Sequence, residues 1–228
     1  MLSAPLVAGA IASGPSWRHL LLAAFWFAGY FAFFALSLWL KSRRKPRYLP
    51  PLKVYLPLAT ALGLAVLAVD PGLVRWAPLF LVPGTVGLVA SATRHERALL
   101  SGIATTVGSS LMTLVAYDLG GGTDWPRAWV LTAVLAAYFA GTVFYVKSAI
   151  RERGNTTFLA WSVAYHLAVT LLALLLLDGP ARWALSAVGL VLTARATVVP
   201  RLGWSAARLG VGEIVATLVV LAVALTTL

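Results

Sequence analysis

Apolar residues in this chain come in long, nearly uninterrupted blocks set apart by short polar breaks. The blocks run over residues 1–13, 20–40, 52–69, 73–92, 98–117, 128–147, 158–177, 183–199 and 212–228. An α-helix needs about 20 apolar residues to cross a hydrocarbon core of about 30 Å, so all but the first block have the size of a transmembrane helix. The first falls short and reads as an incomplete span. Its Ala10-Ile11-Ala12 imitates a signal-peptide cleavage site, but no basic residue precedes it. In lipid, backbone polar groups must be satisfied within helices or a closed barrel. A barrel would need strands of about 10 residues with alternating polarity, and these blocks are uniformly apolar. The pattern predicts an all-α membrane protein: a bundle of eight complete transmembrane helices plus a truncated first helix, forming one polytopic domain over residues 1–228.

Composition agrees, since 61% of the residues are hydrophobic and 11% charged, against about a quarter charged in an average soluble domain. There is no cysteine, which excludes disulfides and thiolate chemistry. The charge is distributed unevenly. Comparing alternate loops, one side carries Lys41, Arg43, Arg44, Lys45, Arg47, Lys53, Arg94, Arg97, Lys147, Arg151, Arg153, Arg195, Arg201 and Arg208, and the other only Arg18, Arg75, Arg127 and Arg182. Short loops rich in Lys and Arg stay cytoplasmic, so a nine-helix topology places the N-terminus inside and Leu228 outside, in the cell (inner, cytoplasmic) membrane. The net charge of +11 is then a consequence of topology, with attraction to anionic lipid headgroups as its corollary. Nucleic acid is excluded as a partner because the cations are scattered over membrane-proximal loops and form no separate domain.

The opposite loops share a pattern: Asp70-Pro71 before Arg75-Trp76, Asp124-Trp125-Pro126-Arg127 before Trp129, and Asp178-Gly179-Pro180 before Arg182-Trp183. Asp suits a helix cap and Pro the first turn, while Arg and Trp sit at headgroup depth. This is a structural device. All four aspartates fall on this face, and Glu96, Glu152 and Glu213 on the other.

Candidate chemistry gathers where ionisable residues enter the helices on the basic side. Such groups face a bundle interior or a wet cavity when they lie at membrane depth. At 1.5 Å per residue, His166 lies about 12 Å and Arg195 about 7 Å from the inner ends of their helices, and Glu213 opens the last span. Arg195 and Glu213 are placed to pair across the short connection between their helices. Tyr138 and Tyr145, seven residues apart, share a helix face. The predicted ligand-binding set is Lys147, Arg151, Asn155, His166, Arg195 and Glu213, converging on one cytoplasm-facing pocket. Each member also has a plainer reading. His166 can simply hydrogen-bond to a neighbouring helix, Arg195 can snorkel, and Lys41 to Arg47 can serve only to set orientation. Ser101, Gly102, Thr105, Gly108, Ser109 and Thr113 are most simply close-packing positions. No His or carboxylates stand at a metal-ligand spacing, and there is no phosphate loop or nucleophile elbow. No metal and no cofactor is expected, and whether the chain is an enzyme stays open.

Two stretches carry a family resemblance. Gly29-Tyr30-Phe31-Ala32-Phe33-Phe34 leads on to Trp39-Leu40-Lys41-Ser42-Arg43-Arg44-Lys45-Pro46-Arg47-Tyr48-Leu49-Pro50-Pro51, and Tyr138-Phe139-Ala140-Gly141-Thr142-Val143-Phe144-Tyr145-Val146-Lys147 continues to Arg151-Glu152-Arg153-Gly154-Asn155. With Ser162-Val163-Ala164-Tyr165-His166 they resemble the YwiC-like family of bacterial membrane proteins, from about residue 15 to the last span. The resemblance implies a polytopic fold and little about activity. It also implies a Pro-Asn-Gln-His-Gly-Ala-Trp segment ahead of residue 1, which would complete the first helix. A weaker similarity is to UbiA-type prenyltransferases, which share the nine-helix topology. Their chemistry uses two Asp-rich cytoplasmic motifs that hold Mg²⁺ against a leaving diphosphate. The corresponding loops, Lys41–Arg47 and Lys147–Asn155, contain no Asp, which argues against a Mg²⁺-dependent transferase and leaves open a related fold whose Arg and Lys grip an anion directly. The sequence therefore supports two functions: binding of an anionic lipid or isoprenoid-type amphiphile in the polar pocket, or transport of a small molecule as a permease. A transporter should show repeated halves with broken helices near the midplane, and Pro78, Pro83 and Gly84 interrupt one span.

Overall fold

The computed structural model describes residues 1–95 and 98–228. Glu96 and Arg97, tallied above among the loop charges, lie outside the described residues. Ten α-helices occur among these: α1 (Ala4–Ser13), α2 (Trp17–Lys41), α3 (Leu49–Val69), α4 (Ala77–Ala92), α5 (Leu99–Ser110), α6 (Met112–Leu119), α7 (Trp125–Ile150), α8 (Thr156–Leu176), α9 (Gly179–Val198) and α10 (Ala206–Thr227). Allowing for the 3₁₀ turns that extend some of them, and with α5 and α6 counted as one crossing, eight helices are long and apolar enough to cross a membrane; α1 is the short one. The chain is a multi-pass membrane protein. Large apolar side chains such as Leu20, Leu64, Val82, Leu100, Leu175 and Val191 stand exposed on the helices, as helix faces turned to lipid must.

Contacts divide the chain into two compact units, residues 1–132 and 133–228, with the division inside α7. In the first unit, α2 and α3 pack through the small residues Ala28, Ala32 and Ala59, and α1 lies on α6 around a core of Leu6, Leu22, Val66, Leu73, Met112 and Leu119. The α1–α6 approach depends on Gly9: a Cβ there would stand 2.2 Å from the Thr113 carbonyl oxygen. His19 is consumed structurally. The Ser16 amide donates to its Nδ1 at 3.0 Å, which makes Nε2 the donor to the Ala116 carbonyl at 3.0 Å, fastening the start of α2 to α6. Asp118, at the end of α6, accepts from the Arg75 guanidinium and, at 2.7 Å, from the Trp76 indole N–H. It thereby ties down the 3₁₀ turn Pro71–Trp76.

The aspartates expected as caps divide their roles. Asp70 accepts from the Gly72 amide and Asp124 from the Arg127 amide. Asp178 makes no side-chain cap and pairs with Arg182 one turn on. The stretch expected as one span over 98–117 is a single crossing, Leu99–Leu119, with a one-residue break in regular helix at Leu111, which keeps α-region backbone angles, between α5 and α6. Just before the break the hydroxyls of Thr105, Thr106 and Ser110 bond back to the carbonyls of Ser101, Ile103 and Thr106, and such back-bonding bends helices.

In the second unit α8 and α9 pack closely, with no room at Gly189, where a Cβ would lie 2.5 Å from the Thr170 hydroxyl. The ends of α7 and α9 and the start of α10 meet around Tyr145, Ala149, Ala196, Val199 and Leu209.

Candidate functional site

The second unit carries the ionisable residues that the sequence placed at membrane depth. Glu213 comes from the second turn of α10, Arg195 from the last turn of α9, His166 from the middle of α8, and Tyr138, Thr142 and Tyr145 from α7. The periodicity of α7 aligns them: Tyr138, Thr142 and Tyr145, at intervals of four and three residues, stack on one helix face.

Arg195 Nη1 and Glu213 Oε1 form an ion pair at 2.6 Å, with the two side chains 16% and 15% exposed. The second carboxylate oxygen accepts from the Thr142 hydroxyl at 2.8 Å and from the Tyr138 hydroxyl at 3.2 Å, and Tyr138 in turn meets the Thr217 hydroxyl at 3.1 Å. The Arg195 guanidinium lies over the Tyr145 ring, 4.2 Å from its centroid, a cation–π arrangement that gains strength away from water. The two acidic oxygens therefore differ. One is seated among hydroxyls, and the other is paired with the guanidinium and has no hydrogen bond among the described residues.

Arg195 is underused as a donor. Its Nε and Nη nitrogens are buried and none makes a hydrogen bond of good geometry among the described residues. Buried donors, charged ones above all, are ordinarily paired. His166 is close enough to both charges to interact with them electrostatically. Its Nδ1 donates to the Ser162 carbonyl at 2.7 Å, and Nε2 is directed toward Gly141, where a Cβ would stand 3.1 Å away. The neighbouring Ser162 hydroxyl is buried without a hydrogen-bond partner among the described residues.

The remaining residues of the predicted set lie elsewhere in the unit. Lys147 Nζ sits 5.3 Å from the centroid of Phe158. Arg151 is exposed on the α7–α8 turn. Asn155 caps α8 by accepting from the Phe158 amide, and donates to Glu152. Asn155 also helps line a cleft of about 280 Å³ with Ser148, Glu152, Arg153 and Arg201. Arg153 closes one wall by donating to the Ala149 and Trp204 carbonyls. The structure thus assembles Arg195, Glu213 and His166 with the two tyrosines, and puts Asn155 on the lining of a surface cleft. Thr142 and Thr217 escaped the sequence reading. Thr142 stands four residues after Tyr138 and Thr217 four after Glu213, both already singled out, and that interval was the available signal.

The family model described as YwiC-like protein matches residues 1–117. A relative in Bacillus subtilis, described as uncharacterized protein YwiC, is 32% identical over 179 residues, covering 77% of this chain and 73% of its own. The chain belongs to the YwiC-like family. A protein of Haemophilus influenzae, described only as uncharacterized, is 25% identical over 178 residues, 75% of this chain and 72% of its own. No solved structure matches the chain. The family model lies within the first unit, and the descriptions of the relatives assign no reaction to the Arg195 cluster. Any function for that cluster has to be argued from its geometry.

Proposed function

We propose that this YwiC-like protein holds the anionic headgroup of a lipid or isoprenoid-type amphiphile at Arg195, from the cytoplasmic side of the cell membrane. The observation that carries the reading is the buried guanidinium whose donors lack hydrogen bonds of good geometry. A guanidinium offers a planar fork that matches a phosphate or carboxylate bidentately. In an apolar span such an unmet fork is unfavourable until an oxyanion fills it. The orientation follows from the Lys and Arg excess at this end. Lys147, Arg151 and Asn155 stand at the same end of α7 and its turn, where the two cations would raise the local concentration of anions. The tail would run along the exposed apolar helix faces.

The test is native mass spectrometry of the protein extracted in a mild detergent. Decyl phosphate and inorganic phosphate serve as the two probes, compared in wild type, Arg195→Ala and Arg182→Ala. Decyl phosphate should be retained by wild type and Arg182→Ala and lost from Arg195→Ala. Retention of inorganic phosphate alone would point to a free anion as the occupant. Equal behaviour of the two variants would sink the reading.

A transporter is the second reading, favoured by features of the first unit: the break at Leu111 between α5 and α6, and Pro83 inside α4. A Cβ on Gly108 would stand 3.0 Å from the Pro83 ring, so the two irregular segments adjoin. Interrupted helices near the midplane are what transporters use to line a site. The cysteine-free background allows Ser109→Cys to be labelled alone. Labelling by a membrane-impermeant maleimide from either side of a vesicle would favour transport, and protection from both sides would exclude a water-exposed site at the break.

A further inference from the structure

We infer that the Arg195–Glu213 pair makes anion binding proton-coupled: an incoming oxyanion takes the guanidinium, and Glu213 takes one proton from the bulk buffer in the same event. The inference rests on the headgroup reading above and adds its regulation. It follows from charge balance and from the unequal surroundings of the two carboxylate oxygens.

As it stands the cluster contains one buried cation and one buried anion in contact at 2.6 Å, so it is close to neutral. The titratable and charged groups facing Glu213 are Tyr138 and Tyr145 on α7, His166 on α8 and Arg195 on α9. Apart from Arg195, none supplies a standing positive charge. A second anion bound to Arg195 would leave two negative charges sharing one guanidinium, in a region where even one ionised group is unfavourable. Two like charges at one site are relieved when one of them takes a proton. Glu213 is built to be the acceptor. Its Oε2 is held by Thr142 at 2.8 Å and Tyr138 at 3.2 Å, and Tyr138 meets Thr217 at 3.1 Å. Hydroxyls both donate and accept, so this seat keeps the side chain in place when it is neutral. Its Oε1 is ion-paired to Arg195 and has no hydrogen bond among the described residues, so that contact is the one the ligand replaces. His166 is the rival acceptor, since donating Nδ1–H to the Ser162 carbonyl leaves its Nε2 lone pair open to a proton; Glu213 is favoured because it is the group in ion contact with the guanidinium that changes partner.

The balance is simple. The proton leaves a bulk buffer molecule and forms the O–H of Glu213, the ion contact to Arg195 Nη1 breaks, and an ion contact between Arg195 and the ligand oxygens forms. Net charge in the cluster is unchanged. Where Glu213 is ionised in the free protein, affinity should then fall about tenfold for each unit rise in pH, because one proton is bound with each anion. The sign follows from uptake: low pH favours the bound state.

Isothermal titration calorimetry of the 228-residue chain in neutral detergent tests this. Decanesulfonate is the probe, since it carries a fixed negative charge and cannot itself titrate. Titrations in two buffers of different ionisation enthalpy count the protons exchanged. Wild type should take up about one proton per ligand. Glu213→Gln, which mimics the neutral acid, should bind at least as tightly with proton uptake near zero. Wild-type affinity measured over a pH series gives the same count without any variant, should Glu213→Gln fold poorly. Binding by wild type without proton uptake overturns the coupling while leaving the headgroup site standing. Uptake that persists in Glu213→Gln and disappears in His166→Gln moves the proton elsewhere and overturns the assignment. Failure of wild type to bind, or undiminished binding by Arg195→Gln, brings down the headgroup site itself.

Discussion

Breaking the Arg195–Glu213 pair from one side should be far more damaging than breaking it from the other, and removing both should be nearly harmless. At 2.6 Å and an effective dielectric of about 20, Coulomb attraction is about 6 kcal/mol. Placing each charged side chain within a membrane helix costs about 2.5–3.5 kcal/mol on insertion scales. The two figures nearly cancel, so the pair contributes little net stability while each member depends on the other. Glu213→Leu strands a guanidinium that cannot lose its proton, and it should cost about 3–5 kcal/mol. Arg195→Met leaves a carboxyl that keeps the Tyr138 and Thr142 hydroxyls and can be neutralised by a proton, so its cost should be nearer 1–2 kcal/mol, roughly that of a lost hydrogen bond to a charged group. The double variant should lie within about 1 kcal/mol of wild type, because apolar replacement of a buried pair is often neutral or better. Unfolding in mixed micelles of dodecylmaltoside and dodecyl sulfate, followed by far-ultraviolet circular dichroism, gives the three differences. Equal costs for the single variants, summing in the double, would refute the reasoning, because that is how two independent snorkelling charges behave.

Gly9→Ala should destabilise the first unit by about 1–3 kcal/mol through overpacking, because its Cβ would meet the Thr113 carbonyl at 2.2 Å, whereas Gly29→Ala has open space and serves as the control; the same micellar unfolding assay reads both. Asp118→Ala strips the partner from Arg75 and from the Trp76 indole and should cost about 1–3 kcal/mol, with Trp fluorescence at this end of the protein shifting as the indole is freed. A reporter fused after Leu228 should read as external and one inserted at Ser42 as cytoplasmic, as the Lys and Arg asymmetry requires; both on one side would contradict the proposed orientation.

Helix number and type were legible because membrane burial imposes a length and a composition that few other constraints share. The expected blocks and the eight apolar helices coincide to within a few residues. The short α1 matched a block visibly too short to cross. What could not be read is local geometry that depends on single hydrogen bonds. The break at Leu111 lies in an apolar run where Ser and Thr look like packing residues, and their back-bonds to Ser101, Ile103 and Thr106 carry no sequence period. The 3₁₀ turn ahead of α4 is hidden for a similar reason. Pro71 permits a helix start and Asp70 caps it through the Gly72 amide, while the far end of the turn is held by the reach of Asp118 to Arg75 and Trp76.

The candidate site divides along the same physical line. Arg195 and Glu213 stand out in sequence because a charge in an apolar run has few places to go, and a partner on the next helix is the nearest. Lys147, Arg151 and Asn155 stand out only by composition, and at a helix end several outlets compete: Phe158 for the ammonium, the first turn of α8 for the amide, and solvent for the guanidinium. Depth is therefore what makes a polar residue's partner predictable. The deeper a charge lies, the fewer groups can meet it, so the residues with the narrowest choice of partner are also those whose remaining unmet donors, such as those of Arg195, say most about what has yet to bind.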